Sequence, residues 1–333
     1  MNILGIESSC DETAAAVYTK NGLLSNVVAT QAIHAEFGGV VPELASRAHQ
    51  QSIWATVEQA MDEANISISE LDAVAVTHGP GLMGALLVGL CFAKGFALAN
   101  EKKLIGVNHM DAHIYANFID QQPEFPFICL TVSGGHTQLV YVDKPFNHTI
   151  LGKTRDDAAG EAFDKIGKIL GLPYPGGPNM DRLSKNGDPH FHRFPQALLK
   201  EGFDFSFSGL KTSALYHLEG IGTEEQQRTY LEDHLSDLCA SVSHAITEVL
   251  IKKLECAIDE TGVKTILLAG GVSANSMLRE KAEKMAARKK CALHIPKMSY
   301  CTDNAAMIAI TGYMKAQVGL FDTFSLKPFA SLG

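Results

Sequence analysis

The feature that most constrains the fold is a plan that the chain uses twice: an apolar strand, a tight polar turn and a returning apolar strand. The predicted strands are 3–6 and 14–18 in the first copy, and 128–132 and 139–142 in the second. The turns between them, SSCDET and SGGHTQ, are rich in small and hydroxyl-bearing residues. A third strand, 265–269, leads through Gly270 and Gly271 into a helical run. This order predicts a duplicated α/β fold with a nucleotide held between its halves.

The composition is globular and excludes a disordered, collagen-like or coiled-coil chain. Of the 333 residues 46% are hydrophobic and 20% are charged, and the formal net charge is -9. An acidic chain has no overall field that draws it to nucleic acid or anionic lipid. A nucleic-acid substrate would therefore need a basic partner or a local basic patch. The densest basic cluster lies within 281–290, where a solvated helix face is the simpler interpretation.

Cysteine usage and the first residues indicate a cytoplasmic protein. The seven cysteines are scattered and form no C-x-x-C pair, which favours neither a disulfide framework nor a thiolate zinc site. The opening MNILGIESSCDE lacks the basic segment of a signal peptide. The most apolar stretch, 82–93, is too short to span a bilayer, so we expect no membrane segment.

Two glycine motifs resemble nucleotide-binding loops, and the sequence favours neither. Residues 79–84 fit G-x-G-x-x-G, but the acid that a dinucleotide ribose requires is missing, since Glu101 precedes the next predicted strand. Residues 152–154 resemble the end of a P-loop, but Asn147 stands where its first glycine is required.

A pair of histidines is the stronger chemical signal. His109 and His113 are four residues apart, so they project from one helical face and can chelate a metal. Two ordinary histidines near a helix start are the alternative, and Met110 stands where a metalloprotease needs its Glu. Asp303, after a predicted strand at 292–295, is a candidate third ligand. Two histidines and one carboxylate suit iron(II) or a catalytic zinc.

Further polar and glycine-rich segments suggest an anion site. The turn from Ser133 to His136 offers unencumbered backbone N–H groups, although a plain glycine-rich hairpin is the alternative. The glycines before the helix at 273–287 add a helix terminus, where Asn275 could bind a ribose or phosphate or only cap the helix. Asp164, on the polar face of a predicted helix, is most simply a solvated carboxylate, and 171–179 is too rich in Gly and Pro for regular structure.

Nine motifs in one order resemble the universal tRNA N6-threonylcarbamoyladenosine transferase family, whose members were once described as glycoproteases. They are GIESSCDETAAAV, GGVVPELASRAH, THGPGLMGALLVG, GVNHMDAH, LTVSGGHTQLV, DDAAGEAFDKIGK, YPGGPNMD, FSFSGLKT and LAGGVSANSMLR. The resemblance spans 3–303 and implies an actin-like, sugar-kinase-like ATPase fold of two lobes with a nucleotide cleft. It also implies transfer of a threonylcarbamoyl group from threonylcarbamoyl-AMP to N6 of the adenosine next to the anticodon, in tRNAs reading ANN codons.

Position by position, the resemblance implies three groups of site residues. The metal-ligand positions fall on His109, His113 and Asp303, and the metal is one divalent ion, iron(II) or alternatively zinc. Donor-binding positions fall on Val132, Ser133, Gly134, Gly135, His136, Asp164, Gly177, Asp181 and Asn275. The essential acidic turn falls on Asp11 and Glu12. The family's Pro before the Leu-Ile-Gly strand is replaced by Lys103, which should not affect the site.

The resemblance also implies partners and lobe limits. The partners are tRNA, TsaB (a shorter paralogue) and TsaE (an ATPase). We expect one lobe from 1–116 joined by the returning segment 303–333, and another from 124–302. Because Asp303 comes from a distant segment, we expect an ion held by all three ligands to tie the lobes together. A metal-dependent glycoprotease and an ATP-dependent kinase of the same fold are the alternative functions.

Overall fold

The computed structural model describes residues 1–31, 34–37 and 39–331, so Gly38 of the GGVVPELASRAH motif lies outside the described residues. The chain divides into two compact units. Unit 1 comprises Met1–Gln122 and Pro296–Gly333, and unit 2 comprises Pro123–Ile295. The segment 296–302, which the sequence analysis places in the second lobe, belongs to unit 1. Within this segment, Lys297 makes an ion pair of 2.9 Å with Asp120 of unit 1.

The regular elements account for most of both units. The strands are β1 Asn2–Glu7, β2 Glu12–Thr19, β3 Gly22–Thr30, β4 Ala73–Gly79, β5 Lys103–Asn108, β6 Phe127–Val132, β7 Thr137–Lys144, β8 Asn147–Lys153, β9 Thr265–Ala269 and β10 Ala292–His294. The helices are α1 His34–Phe37, α2 Pro42–Ala64, α3 Met83–Ala99, α4 His109–Tyr115, α5 Ala159–Ile169, α6 Gly176–Ser184, α7 Ser208–Glu219, α8 Glu224–Thr261, α9 Ser276–Lys289 and α10 Ala305–Gln317.

The two sheets share one topology, which confirms the predicted duplication. The order in unit 1 is β3-β2-β1-β4-β5, and the order in unit 2, read from its far edge, is β8-β7-β6-β9-β10. In each sheet the first strand is antiparallel to the second and parallel to the fourth. Parallel strands end at the same edge, so the turns after β1, β4 and β5 share one edge, and those after β6 and β9 share another.

Helices cover both faces of the first sheet, which explains its uninterrupted apolar strands. Five of the six residues of β1, all but Asn2, are buried. On one face α10 packs against β1 and β2, and on the other α2 packs against β2 while α3 packs against β4. In unit 2, α5 to α9 contribute to a single apolar core with β6, β7 and β9.

Three helix predictions need correction. The stretch 171–179 is not wholly irregular, because α6 begins at Gly176. Proline is tolerated in a first helical turn, since its missing N–H has no partner there, so Pro178 does not prevent the helix. The helix expected at 273–287 is a 3-10 turn, Gly271–Ala274, followed by α9. The apolar periodicity of 236–259 predicts a further long helix, and the structure starts that helix earlier, where Thr223 caps α8.

Distant segments cover one edge of each sheet. Asp322 pairs with β5 through two hydrogen bonds. Its backbone N–H donates to the Leu104 carbonyl oxygen at 2.8 Å, and its carboxylate accepts the Gly106 N–H at 2.7 Å. In unit 2, Phe205 lies along the end of β8, and its N–H donates to the Lys153 carbonyl at 3.1 Å. Among the described residues, no helix combines the length and the apolar character that crossing a membrane requires.

Candidate metal centre and anion-binding loop

The two predicted histidine ligands lie at the start of α4, directly after β5. Asn108 fixes this start, because its side-chain oxygen accepts the backbone N–H of Met110 at 2.8 Å and of Asp111 at 3.3 Å. The rings of His109 and His113 are both buried, with centroids 4.7 Å apart and planes at 82°. The four-residue spacing therefore places both side chains together, as predicted.

Asp303 completes the group from the segment that precedes α10. Its Oδ1 lies 3.2 Å from Nε2 of His113 and 3.5 Å from Nε2 of His109. One ligand atom from each of the three residues lies within 4.8 Å of the others. All three residues belong to unit 1, so the expectation that an ion would tie two lobes together is wrong. The reason is that α10 packs against β1, β2 and α4 of unit 1 itself.

These residues fit a single metal ion. Among the described residues, neither ring nitrogen of His113 makes a hydrogen bond of good geometry: Nδ1 has no partner, and Nε2 faces only Asp303 Oδ1 at 3.2 Å. Leaving a buried polar atom unpaired costs about 1–3 kcal/mol, and a cation bound at Nε2 would satisfy one of them. Two imidazoles and a carboxylate are ligands that divalent zinc and iron accept. Among the residues that the structure describes, this is the one group of three or more metal-ligating side chains at such spacing.

The charges around the triad also favour a cation. Burial opposes the ionised form of Asp303, but His109 and His113 outweigh it and hold the pKa of Asp303 well below its usual range. Burial likewise opposes a charged His109, yet the Asp303 and Glu7 carboxylates raise the pKa of His109 well above its ordinary value. The carboxylates of Asp303 and Glu7 therefore favour positive charge at this point.

The acidic turn between β1 and β2 lies within electrostatic range of the triad without joining it. Burial, and then the charges of Asp303 and Asp11, raise the pKa of Glu12 to about 9. Glu12 therefore holds a proton at neutral pH when no cation is bound. Asp11 and Glu12 lie outside the group of three ligating side chains, and their part in an essential acidic turn stays a prediction.

Sequence analysis missed Glu7, which lies directly behind His109. Glu7 is the last residue of β1 and is 1% exposed, and its Oε2 lies 3.3 Å from Nδ1 of His109. Ser9 Oγ lies 3.1 Å from the same nitrogen. A carboxylate at the end of an otherwise apolar buried strand is the signal that could have identified it.

The predicted anion-binding loop of unit 2 follows β6, next to the end of β9. Ser133 and His136 close the loop, since the Ser133 N–H donates to the His136 carbonyl at 2.8 Å and the His136 N–H donates to Ser133 Oγ at 3.1 Å. Gly134 and Gly135 between them are exposed, and within the described chain their N–H groups donate to nothing. Two such backbone donors form the kind of concavity that binds phosphate or carboxylate.

A glycine brings the end of β9 against this loop. Gly270 has a φ of +84°, and a Cβ there would lie 2.4 Å from the carbonyl oxygen of Val132. Only glycine permits both the left-handed backbone and this approach. The predicted positions Val132 to His136 therefore border the Gly270 turn.

The other predicted donor-binding residues connect helices of unit 2. Asp164 of α5 accepts the N–H groups of Gly176 and Gly177, at 2.8 and 3.2 Å, through Oδ1. Asp181 of α6 accepts both the N–H and the hydroxyl of Ser276, at 2.9 and 2.7 Å. Asn275 caps α9, its side-chain oxygen accepting the Leu278 N–H at 2.9 Å, so the capping alternative is correct for that atom.

The solvated interpretation of Asp164 is wrong. Burial raises its pKa, and the two backbone N–H groups of α6 oppose that rise without cancelling it. The carboxylate is half-buried and anchors the beginning of α6 from another helix. Its second oxygen, Oδ2, makes no hydrogen bond within the described residues.

The other sequence motifs have structural explanations. In the 79–84 motif, the space beside Gly79 is filled by Phe329 and that beside Gly81 by Ser9, so these glycines serve packing within the chain. The basic cluster is largely paired with acids. Its ion pairs are Lys281–Glu248, Lys284–Glu280, Arg288–Glu255 and Lys289–Asp259.

Solved structures with a similar fold span nearly the whole chain. Full-length HypF in a phosphate- and nucleotide-bound form aligns with a TM-score of 0.61 at 11% identity, covering 96% of this chain and 47% of that one. Component A of the Acidaminococcus fermentans (R)-2-hydroxyglutaryl-CoA dehydratase aligns with a TM-score of 0.57 at 13% identity, covering 95% and 99%. These likenesses confirm the actin-like, sugar-kinase-like α/β fold.

Sequence relatives are much closer. The tRNA N6-adenosine threonylcarbamoyltransferase of Chloroherpeton thalassium is 52% identical over 97% of this chain and 94% of that protein. The protein of the same name from Riemerella anatipestifer is 53% identical over 97% and 95%. The family profile described as TsaD, tRNA N6-adenosine threonylcarbamoyltransferase, matches residues 22–310. The chain therefore belongs to the TsaD family of tRNA N6-adenosine threonylcarbamoyltransferases.

Proposed function

We propose that this chain transfers the threonylcarbamoyl group of threonylcarbamoyl-AMP to N6 of the adenosine next to the anticodon, position 37, in tRNAs reading ANN codons. The observation that carries the proposal is the family match across 22–310 in a chain that keeps the His109, His113 and Asp303 triad assembled. A metalloprotease would need an acid–base residue where this chain has Met110, which is buried.

The donor's AMP part fits the features of unit 2. The exposed N–H groups of Gly134 and Gly135 would bind its phosphate without any side chain in the way. Asp164 Oδ2 and the side chain of Asn275 would hold polar groups of the nucleoside, while the caps that these residues make keep them in place. Asp181 would act by fixing the beginning of α9 through Ser276.

The triad fits iron(II) first, with zinc as the alternative, because two histidines and one carboxylate leave positions open for a substrate. Such an ion supplies Lewis-acid polarisation of the carbamoyl carbonyl. In the attack, adenosine N6 forms a bond to the carbamoyl carbon, the bond from that carbon to the AMP phosphate oxygen breaks, N6 loses a proton, and AMP leaves with the electron pair as an anion. We assign the proton to the acidic turn, where Glu12 lies in the field of Asp303 and Asp11. A nearby positive charge would lower the pKa of Glu12 from about 9 towards neutrality, where a carboxylate can accept a proton.

We propose tRNA, TsaB and TsaE as partners and the cytoplasm as the location. The ion pairs of the basic cluster leave little charge there for tRNA phosphates, which favours help from a partner. An apolar surface on α2 and α3 suits a protein partner such as TsaB. Its large side chains are Trp54, 52% exposed, with Met83 and Leu87, 42% and 44% exposed.

The test is a reconstituted reaction with the purified chain, TsaB, TsaE, synthetic threonylcarbamoyl-AMP and an unmodified tRNA transcript. Mass spectrometry of the digested tRNA should detect threonylcarbamoyladenosine with the wild-type chain and with a control variant at the exposed His148, H148A. The product should be absent with H113A. If wild-type protein forms no modified adenosine under these conditions, the proposed function is wrong.

A further inference from the structure

The carboxylate of Glu7 is buried and held from two directions. Its Oε2 accepts the Thr77 hydroxyl of the neighbouring strand β4 at 2.6 Å. Its Oε1 accepts the backbone N–H of Ser9, in the turn that follows β1. Thr77 is fully buried, so neither anchor exchanges readily with solvent. Glu7 is therefore a fixed acceptor with one side of Oε2 left for a further donor.

That further donor is the imidazole of His109. Its Nδ1 lies 3.3 Å from Glu7 Oε2 and 3.1 Å from Ser9 Oγ, while its Nε2 lies 3.5 Å from Asp303 on the opposite side of the ring. A neutral imidazole carries one proton, and a carboxylate can only accept it. With the proton on Nδ1, the free lone pair is on Nε2, which faces Asp303.

We infer that Glu7 is the positioning residue of the metal centre, fixing the ring and the tautomer of His109 so that Nε2 is available to the ion. Partners of this kind orient metal-bound histidines and increase their basicity. Glu7 also adds a buried negative charge beside that of the partly buried Asp303, and two carboxylates balance the charge of one divalent ion. The inference rests on the metal centre of the proposed function and not on the transfer reaction.

The contrast with His113 shows that this role belongs to one histidine. Among the described residues, Nδ1 of His113 has no hydrogen-bond partner, so no carboxylate lies behind this ring as Glu7 lies behind that of His109, and the side chain is buried within α4. Loss of Glu7 should therefore affect His109 selectively. We expect the ion to be held more weakly, with His113 and Asp303 still in place.

The experiment measures zinc affinity of the full chain by competition with a chromophoric chelator, with zinc(II) as the probe. The variants are E7Q, which keeps the size of the side chain, and T77V, which removes one anchor of Glu7. E58Q, at an exposed acid of α2 whose side chain makes no ion pair with the described residues, is the matched control. We expect E7Q to weaken zinc binding about 10- to 100-fold, T77V to weaken it less, and E58Q to leave it unchanged.

Two further measurements separate positioning from general destabilisation. Thermal melting of the metal-free variants identifies any loss of fold, and the ¹⁵N resonances of His109 in the zinc-loaded protein report its tautomer. We expect an Nδ1-protonated His109 in the wild type and a loss of that pattern in E7Q. If E7Q binds zinc with wild-type affinity and keeps the wild-type tautomer of His109, the inference about Glu7 is wrong, while the metal centre of the proposed function still stands. Failure of wild-type protein to bind zinc, with H113A no different, would overturn the metal centre itself as well.

Discussion

Replacement of Asp164 tests whether its carboxylate serves the fold, the donor, or both. Asp164→Ala removes the acceptor of the Gly176 and Gly177 N–H groups and leaves the beginning of α6 without a cap. Hydrogen bonds to a charged group contribute about 1.5–3 kcal/mol each, and loss of a capping side chain costs about 0.5–2 kcal/mol. Burial of the Asp164 carboxylate raises its pKa and offsets part of the stabilisation from these contacts. We therefore expect D164A to lower the free energy of unfolding by about 1–2 kcal/mol.

The size of unit 2 converts this loss into a measurable shift. For a unit of this length, each kcal/mol lowers the melting temperature by about 2–4 °C, so D164A should melt about 2–8 °C below wild type. Asp164→Asn keeps an oxygen that can accept the same N–H groups, so D164N should melt within a few degrees of wild type. The exposed acid Glu260 provides the matched control, E260A.

The assays are differential scanning calorimetry and formation of threonylcarbamoyladenosine by the reconstituted system. We expect E260A to match wild type in both, and D164N to be stable but strongly reduced in transfer, because it lacks the charge that we propose binds the donor. If D164A melts with wild type, the two N–H contacts do not stabilise α6. If D164N transfers at the wild-type rate, the carboxylate has no role with the donor.

Three further outcomes follow from the two sites. Loss of any one ligand should lower the metal content, measured by elemental analysis, and abolish transfer while the protein still melts cooperatively; the variants are His109→Ala, His113→Ala and Asp303→Ala. A variant that keeps its full metal content and activity would show that the replaced residue is not a ligand. The free energy of unfolding of the metal-free protein should fall as pH rises from about 4.5 to about 9. The pKa of Glu12 is raised in the folded state, so over this range the unfolded chain has lost the Glu12 proton while the folded chain still holds it. Chemical denaturation across that range should show the decline, and a decline of equal size in Glu12→Gln would assign it to other groups. In filter-binding assays the isolated chain should bind tRNA weakly, and more weakly still at high salt, whereas added partners should strengthen binding. Tight binding by the isolated chain that does not depend on salt would show that its basic residues are free to bind tRNA phosphates.

Local patterns predicted the parts of the molecule that local forces determine. The hairpins, the four-residue spacing of His109 and His113, and the glycine turn at 134–135 depend on nearest neighbours along the chain, and the structure contains each of them. Asp303 is a candidate ligand by its place after a predicted strand and also by the family resemblance, and the structure brings it to the histidines.

Contacts between distant segments explain what the sequence did not reveal. Nothing near Asp164 in the sequence indicates that it would cap a helix beginning at Gly176, and this cap is also why the glycine- and proline-rich run becomes helical. Glu7 acquires its role only when β4 places Thr77 beside it and β5 delivers His109. The pairing of basic residues on α9 with acids of α8 likewise depends on how two helices pack.

The segments that lie along β5 and β8 have a consequence for how copies of the protein behave towards each other. An uncovered strand presents a row of N–H and C=O groups that can pair with any extended chain, and such edges are starting points for aggregation. Asp322 and Phe205 occupy part of those rows, from stretches that carry little regular structure of their own. A proteolytic cut that frees the stretch around Asp322 would expose β5 while leaving the core of its sheet intact. Its first sign would be a rise in light scattering as molecules associate, before any loss of helical signal.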